Sequence, residues 1–189
     1  MARGILLLDV DGPLNPYAAR RERRPEGYQT FRLTAKGAWL TGRDARKRKG
    51  LRVWLHPGHG ALLRDLAADT GLDLVWATTW QGEANRLVAP SIGVPELPVV
   101  EFGARDLDPE RGWLPGGSWK WSAVAEFAGD RPLAWFDDEL DEVAHRAARD
   151  RFLRARGDAP TLLCHVDPRR GLGADHVAAV RAWAAALPG

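Results

Sequence analysis

The chain has 189 residues, 45% of them hydrophobic and 28% charged, with a net charge of only +2. This is ordinary composition for one globular domain with a real core. No apolar run approaches the roughly 20 residues of a membrane-spanning helix, and Cys164 is the only cysteine, which excludes an internal disulfide.

Only Met-Ala-Arg-Gly precedes the first apolar run, with no export signal, so the expected location is the cytoplasm. Neither a membrane nor a disulfide-linked partner is expected. The charge is uneven. Residues 20–52 carry twelve Lys/Arg against three Asp/Glu, a local +9 that leaves −7 for the remainder. A basic surface facing a polyanion would produce this asymmetry, and so would a solvated loop.

In chain order, Ile5–Asp9 reads as a fully buried strand, a short apolar run closed by turn residues. Residues 13–27 are rich in Pro, Gly and Arg and read as loop. Tyr28–Leu33 and Leu51–Leu55 alternate in polarity and predict a hairpin with a basic connection. Ala61–Asp69 has helical spacing and stops near Gly71, a natural helix end. Leu72–Ala77 is a second buried strand. Gly82–Ala89 predicts a short helix broken by Pro90, and Leu97–Phe102 a third strand. A helix from Ser118 to about Ala128, a buried strand Leu133–Phe136 and a helix over about Glu139–Arg156 follow. Thr161–Val166 and Asp175–Leu187 close the chain as strand and helix. Alternation of this kind predicts an α/β fold, a parallel sheet with helices on both faces. The expected organisation is a single domain over residues 1–189 with a basic insert at about 14–58.

Open α/β sheets bind ligands beyond the carboxyl ends of their strands. That rule selects Asp9 and Asp11, then Thr78 and Thr79, then Asp137 and Asp138, with Lys120 at a predicted helix start. Asp9 and Asp11 are two residues apart, so a continuing strand points both to one face. They fit an ordinary strand end and turn, and they also fit a site built around a cation. Asp137 and Asp138 fit a helix N-cap as well as a metal. Four carboxyl groups on one rim require a counter-charge. A hard divalent cation with oxygen ligands, such as Mg²⁺, supplies it. A lysine and hydroxyls beside it suit a phosphoryl group.

"DVDGPLNP", "LVWATTW", "SWKW" and "LAWFDDE" resemble, in content and order, the four motifs of the haloacid dehalogenase superfamily. More narrowly, "WATTW" with a short insert and "PTLLCHVDPRRGL…H" is similar to the small domains of that superfamily associated with bacterial RNA-repair proteins. The resemblance implies a Rossmann-like core, minimally capped by the hairpin insert. It implies Asp9 as nucleophile and Mg²⁺ ligand, and Asp11 as proton donor and then base, lending its carbonyl to the metal. Thr78 would bind the phosphoryl oxygens, with Thr79 open as the alternative. Lys120 would bridge nucleophile and phosphate, and Asp137 and Asp138 would hold Mg²⁺. Gly12, Thr79, Trp80, Arg46 and Lys47 are the candidate substrate contacts.

The expected activity is Mg²⁺-dependent phosphomonoester hydrolysis through an aspartyl-phosphate, on a nucleotide or an RNA or DNA terminal phosphate. Trp39 and Trp54 in the basic insert, with Trp80 and Trp119 beside the motifs, fit stacking on bases. A phosphatase for a small metabolite and a non-catalytic module that grips phosphate ends are the alternatives.

Overall fold

The computed structural model describes residues 2–20, 22–103 and 118–188. Its centre is β1 (Gly4–Leu8), five residues without one exposed side chain. Such a run buries both faces of a strand, and two apolar clusters divide them. Leu6 and Leu8 join one cluster, whereas Ile5 and Leu7 join the other. This is the alternation of a pleated strand covered on both sides.

Parallel partners flank β1 on both edges. On one side lies β5 (Leu72–Trp76), on the other β6 (Leu133–Asp137), with β7 (Thr161–His165) beyond it, giving the order β5-β1-β6-β7. The Leu6 face packs with α2 (His59–Thr70) and α6 (Ala174–Ala185), through residues such as Leu63, Leu66, Val177 and Val180. The Ile5 face packs with α4 (Ser118–Ala128) and α5 (Arg146–Arg156), through Val124, Ala128 and Phe152. Gly71 ends α2 at φ +70, a left-handed conformation that glycine adopts without a steric penalty.

The insert departs from a simple hairpin. β2 (Gln29–Leu33) and β4 (Leu51–Leu55) pair antiparallel as expected, with Phe31 opposite Val53. The basic connection between them is itself structured, however. β3 (Trp39–Thr41) pairs on the other edge of β2, and α1 (Gly42–Lys47) follows at once. Phe31, Val53 and Leu55 share one apolar cluster with Leu6 and Leu8, so the insert's sheet is bonded to the core by burial.

Three further expectations change. Leu97–Phe102 is not a strand. Pro98 has no N–H for a ladder, and only one isolated bridge joins Val99 to Trp76. Pro90 does not break a helix. It sits in the first turn of α3 (Ala89–Ile92), directly after a π-helical turn over Ala84–Val88, where no N–H is needed. The helix predicted from Glu139 starts only with a 3₁₀ turn at Val143–His145 and becomes α-helical at Arg146. The residues following Asp138 turn across the strand ends instead. No helix among the described residues is long and apolar enough to cross a membrane. Cys164 is buried in β7.

Candidate active site

The strand alternation that builds the core also builds the site. Ile5 and Leu7 face α4, so Asp9, the next odd position, continues on that face. Leu133 and Trp135 of β6 join the same cluster, and Asp137 follows them. The register sets Leu8 beside Phe136, which brings Asp9 level with Asp137 on neighbouring strands. Two buried carboxylates side by side repel, and α4 supplies the remedy. Lys120, in its first turn, places Nζ 2.8 Å from Asp9 Oδ2 and pairs still more closely with Asp137 Oδ2. Burial disfavours the charged lysine, but Asp137 and Asp9 outweigh it and hold Lys120 protonated well above its usual range.

Asp138 enters from the turn after β6. The Tyr17 hydroxyl donates to its Oδ2 at 2.9 Å. Gly12 lets it come close. At φ +86 this glycine turns the chain after Asp11, and a Cβ there would lie 2.5 Å from Asp138 Cγ. Asp9, Asp137 and Asp138 each offer an oxygen within 4.8 Å of the others. One lysine cannot balance three carboxylates. The set of ligand atoms is all oxygen, which suits a hard divalent cation. Burial and then the Asp9 charge push the Asp138 carboxyl up to about 7.

Asp11 is tethered through both carboxyl oxygens. Asn15 Nδ2 donates to Oδ1 at 2.7 Å and the Trp80 indole to Oδ2 at 2.8 Å. Burial raises its pKa against those two hydrogen bonds. Asn15 is itself buried, and its Oδ1 accepts from the Trp54 backbone N–H at 2.9 Å, tying the acid to β4 of the insert.

Asp9, Asp11, Lys120 and Asp138 line one cavity of about 310 Å³, together with Tyr17, Arg52 and others. Asp137 lies fully buried behind that wall, where its Oδ1 accepts the Glu139 N–H at 2.9 Å. It closes a turn and does not cap an α-helix. Thr79 lines the cavity, whereas Thr78 has no exposed surface and its Oγ1 meets the Trp80 N–H at 3.4 Å. The threonine that faces the cleft is therefore Thr79.

Other expected substrate contacts are relocated. Trp80 is half-buried and engaged with Asp11. Trp54 is 3% exposed, with the Arg52 guanidinium 3.7 Å above its ring, so no base can stack there. Trp39 stacks on Phe31 at 5.2 Å. The Trp119 side chain lies outside the described residues. Arg46 and Lys47 are exposed on the last turn of α1, which is anchored by its one buried residue, Ala45, and neither reaches the cavity wall. Asn15, Tyr17, Arg52 and Glu139 take places that spacing does not disclose. Asn15 and Tyr17 lie in an irregular turn, and Arg52 is one of twelve basic residues in its segment.

The raised carboxyl groups imply a measurable pH response. Between the unfolded value of 3.8 and about 7, folded Asp138 keeps a proton that the unfolded chain has released. The metal-free fold therefore loses stability as pH rises through that window. With a chelator, the melting temperature is expected to be higher at pH 5 than at pH 8. Saturating Mg²⁺ should raise it more at pH 8 than at pH 5, because cation and protons compete for the same oxygens. An equal effect of Mg²⁺ at both pH values would contradict a shared cation.

Neither a scan against protein-family models nor a search of curated proteins returns a match to this chain, so family and function rest on the residues themselves.

Proposed function

We propose that this protein is a Mg²⁺-dependent phosphomonoester hydrolase of the haloacid dehalogenase kind, acting on a nucleotide or a nucleic-acid terminal phosphate. The reading rests on one observation above all. Asp9 and Lys120 meet at 2.8 Å within a three-carboxylate oxygen cluster, with doubly tethered Asp11 in the same cavity wall.

In this reading Asp9 attacks phosphorus while Asp11 protonates the leaving oxygen, and the ester P–O bond breaks. Asp11, now ionised, takes a proton from water. The water oxygen bonds to phosphorus, the acyl-phosphate bond breaks, and phosphate and free Asp9 are released. Lys120 orients Asp9 and balances the charge that gathers on the phosphoryl oxygens, while Thr79 offers them a hydroxyl. Asp9, Asp137 and Asp138 would hold the divalent cation, whose contribution there would be to offset phosphoryl charge. Asn15 and Trp80 hold Asp11 where it can act first as acid and then as base.

The 310 Å³ cavity would also suit a small phosphorylated metabolite, which is the second reading. Hydrolysis of phenyl phosphate, mononucleotides and sugar phosphates should be measured with Mg²⁺ and with chelator. Turnover that vanishes with the chelator is expected. Binding of phosphate ends without any turnover would replace the hydrolase with a non-catalytic module.

A further inference from the structure

A groove of about 500 Å³ continues outward from the cavity, lined by Tyr17, Arg32, Gly50, Leu51 and Arg52. Tyr17, Leu51 and Arg52 also line the cavity, so the two form one depression. Its chemistry changes along its length. The cavity wall carries four acids, Asp9, Asp11, Asp138 and Glu139, beside Lys120 and Arg52, whereas the groove carries Arg32 and the shared Arg52 and no acid.

Both arginines are held in place. Arg32 donates to the Ala45 and Gly50 carbonyls, each at 3.0 Å. Arg52 lies over Trp54 and donates to the Tyr17 carbonyl at 3.3 Å. The apolar surface is equally uneven. Four large hydrophobic side chains are exposed among the described residues, and Tyr17 and Leu51, at 48% and 54%, are the two at this junction. Exposed apolar groups at the mouth of a polar cleft suit the flat, weakly hydrated part of a ligand.

We infer that this groove is the leaving-group subsite and takes the end of a single-stranded nucleic acid. The terminal nucleoside lies against Tyr17 and Leu51, and the next internucleotide phosphate lies against Arg52 and Arg32. The inference rests on the hydrolase reading above, and it narrows that reading. A mononucleotide has no second phosphate for the arginines, and a sugar phosphate offers no base to the apolar pair. The guiding charge is thus Arg32 and Arg52 of the sheet, not the Arg46–Lys49 run. A separate depression lined by Arg20, Arg23, Arg24 and Arg169 is the competing path.

The test compares phenyl phosphate, a mononucleotide and fluorescent hexanucleotides phosphorylated at the 3′ or the 5′ end. Both hydrolysis and binding, by anisotropy, are read. One hexanucleotide should exceed the mononucleotide in kcat/KM by roughly tenfold or more at low salt, and the advantage should shrink as salt rises. Leu51 is exposed, so Leu51→Asp should fold. It should raise the hexanucleotide KM and Kd by roughly tenfold, more than it changes KM for phenyl phosphate. The Arg46→Ser/Lys47→Ser variant should leave the hexanucleotide KM unchanged.

Equal kcat/KM for long and short substrates would overturn the inference, as would an unchanged hexanucleotide Kd in Leu51→Asp. So would a larger effect from Arg23→Ser/Arg24→Ser, or better turnover of a phosphopeptide. If phenyl phosphate is hydrolysed in those cases, the hydrolase reading stands without the groove. If nothing is hydrolysed, that reading falls, and the Leu51→Asp binding comparison still decides whether a strand lies in the groove.

Discussion

Asp9→Asn is expected to lower turnover of every phosphomonoester substrate by roughly 10⁴-fold or more, the scale of loss when a covalent nucleophile is removed. The substitution keeps the shape of the side chain and an oxygen able to accept the Val10 N–H, which meets Asp9 Oδ1 at 2.7 Å. What disappears is the proposed nucleophile and one negative charge from a crowded cluster. In the metal-free variant Asp137 and Asp138 lose a repelling neighbour while Lys120 loses one ion-pair partner and keeps Asp137, so the variant should fold with a melting temperature near the parent's at pH 8. Activity and thermal stability measured on one preparation separate this from misfolding. Retained hydrolysis of phenyl phosphate would remove Asp9 from the chemistry.

Lys120→Met should cost more stability, because it removes the partner of two carboxylates at once. Lys120 is 4% exposed and neutralises Asp9 and Asp137 together. Methionine fills a similar volume but leaves buried carboxylates without their cation, a change that costs about 3–5 kcal/mol when one partner of a buried pair is removed. Turnover should fall by at least about a hundredfold, a typical loss for one electrostatic contact to a transition state. Denaturant unfolding at pH 8 and pH 5 measures the first effect. The loss should be smaller at pH 5, where the carboxyl groups accept protons more readily. Adding Asp137→Asn should recover part of the stability and none of the activity, since the two residues form one charge network. Equal destabilisation at both pH values would mean that Lys120 acts through packing alone.

The cluster of Asp9, Asp137 and Lys120 was legible because strand periodicity and chemistry coincide there. Asp9 and Asp137 extend buried runs whose odd positions already face α4, and Lys120 starts the helix on that face. The parallel sheet followed from the same apolar runs. The supporting shell was not legible. Asn15 and Tyr17 sit in an irregular turn that has no period, and only the folded chain brings Tyr17 to Asp138, 121 positions away. Which way the basic insert faces was not legible, for a related reason. Charge content says where cations are concentrated along the chain but not which way they face. The short helix α1 carries Arg46 and Lys47 into solvent, while the alternation of β4 sets Arg52 at the cleft. The adjacent threonines show the same limit on a smaller scale. Adjacent residues at a strand end face opposite ways, and only the turn into Trp80 and Gln81 decides that Thr79 lines the cavity.

The most direct measurement of the central claim, that Asp9 carries the phosphoryl group within a cation-binding carboxylate cluster, is a rapid acid quench followed by peptide mapping. The protein should be mixed with a phosphorylated hexanucleotide and Mg²⁺, quenched during turnover and digested. A phosphate adduct is expected on the peptide containing Asp9, absent with chelator and absent in Asp9→Asn. Turnover with no adduct on that peptide, or an adduct that persists in Asp9→Asn, would contradict it.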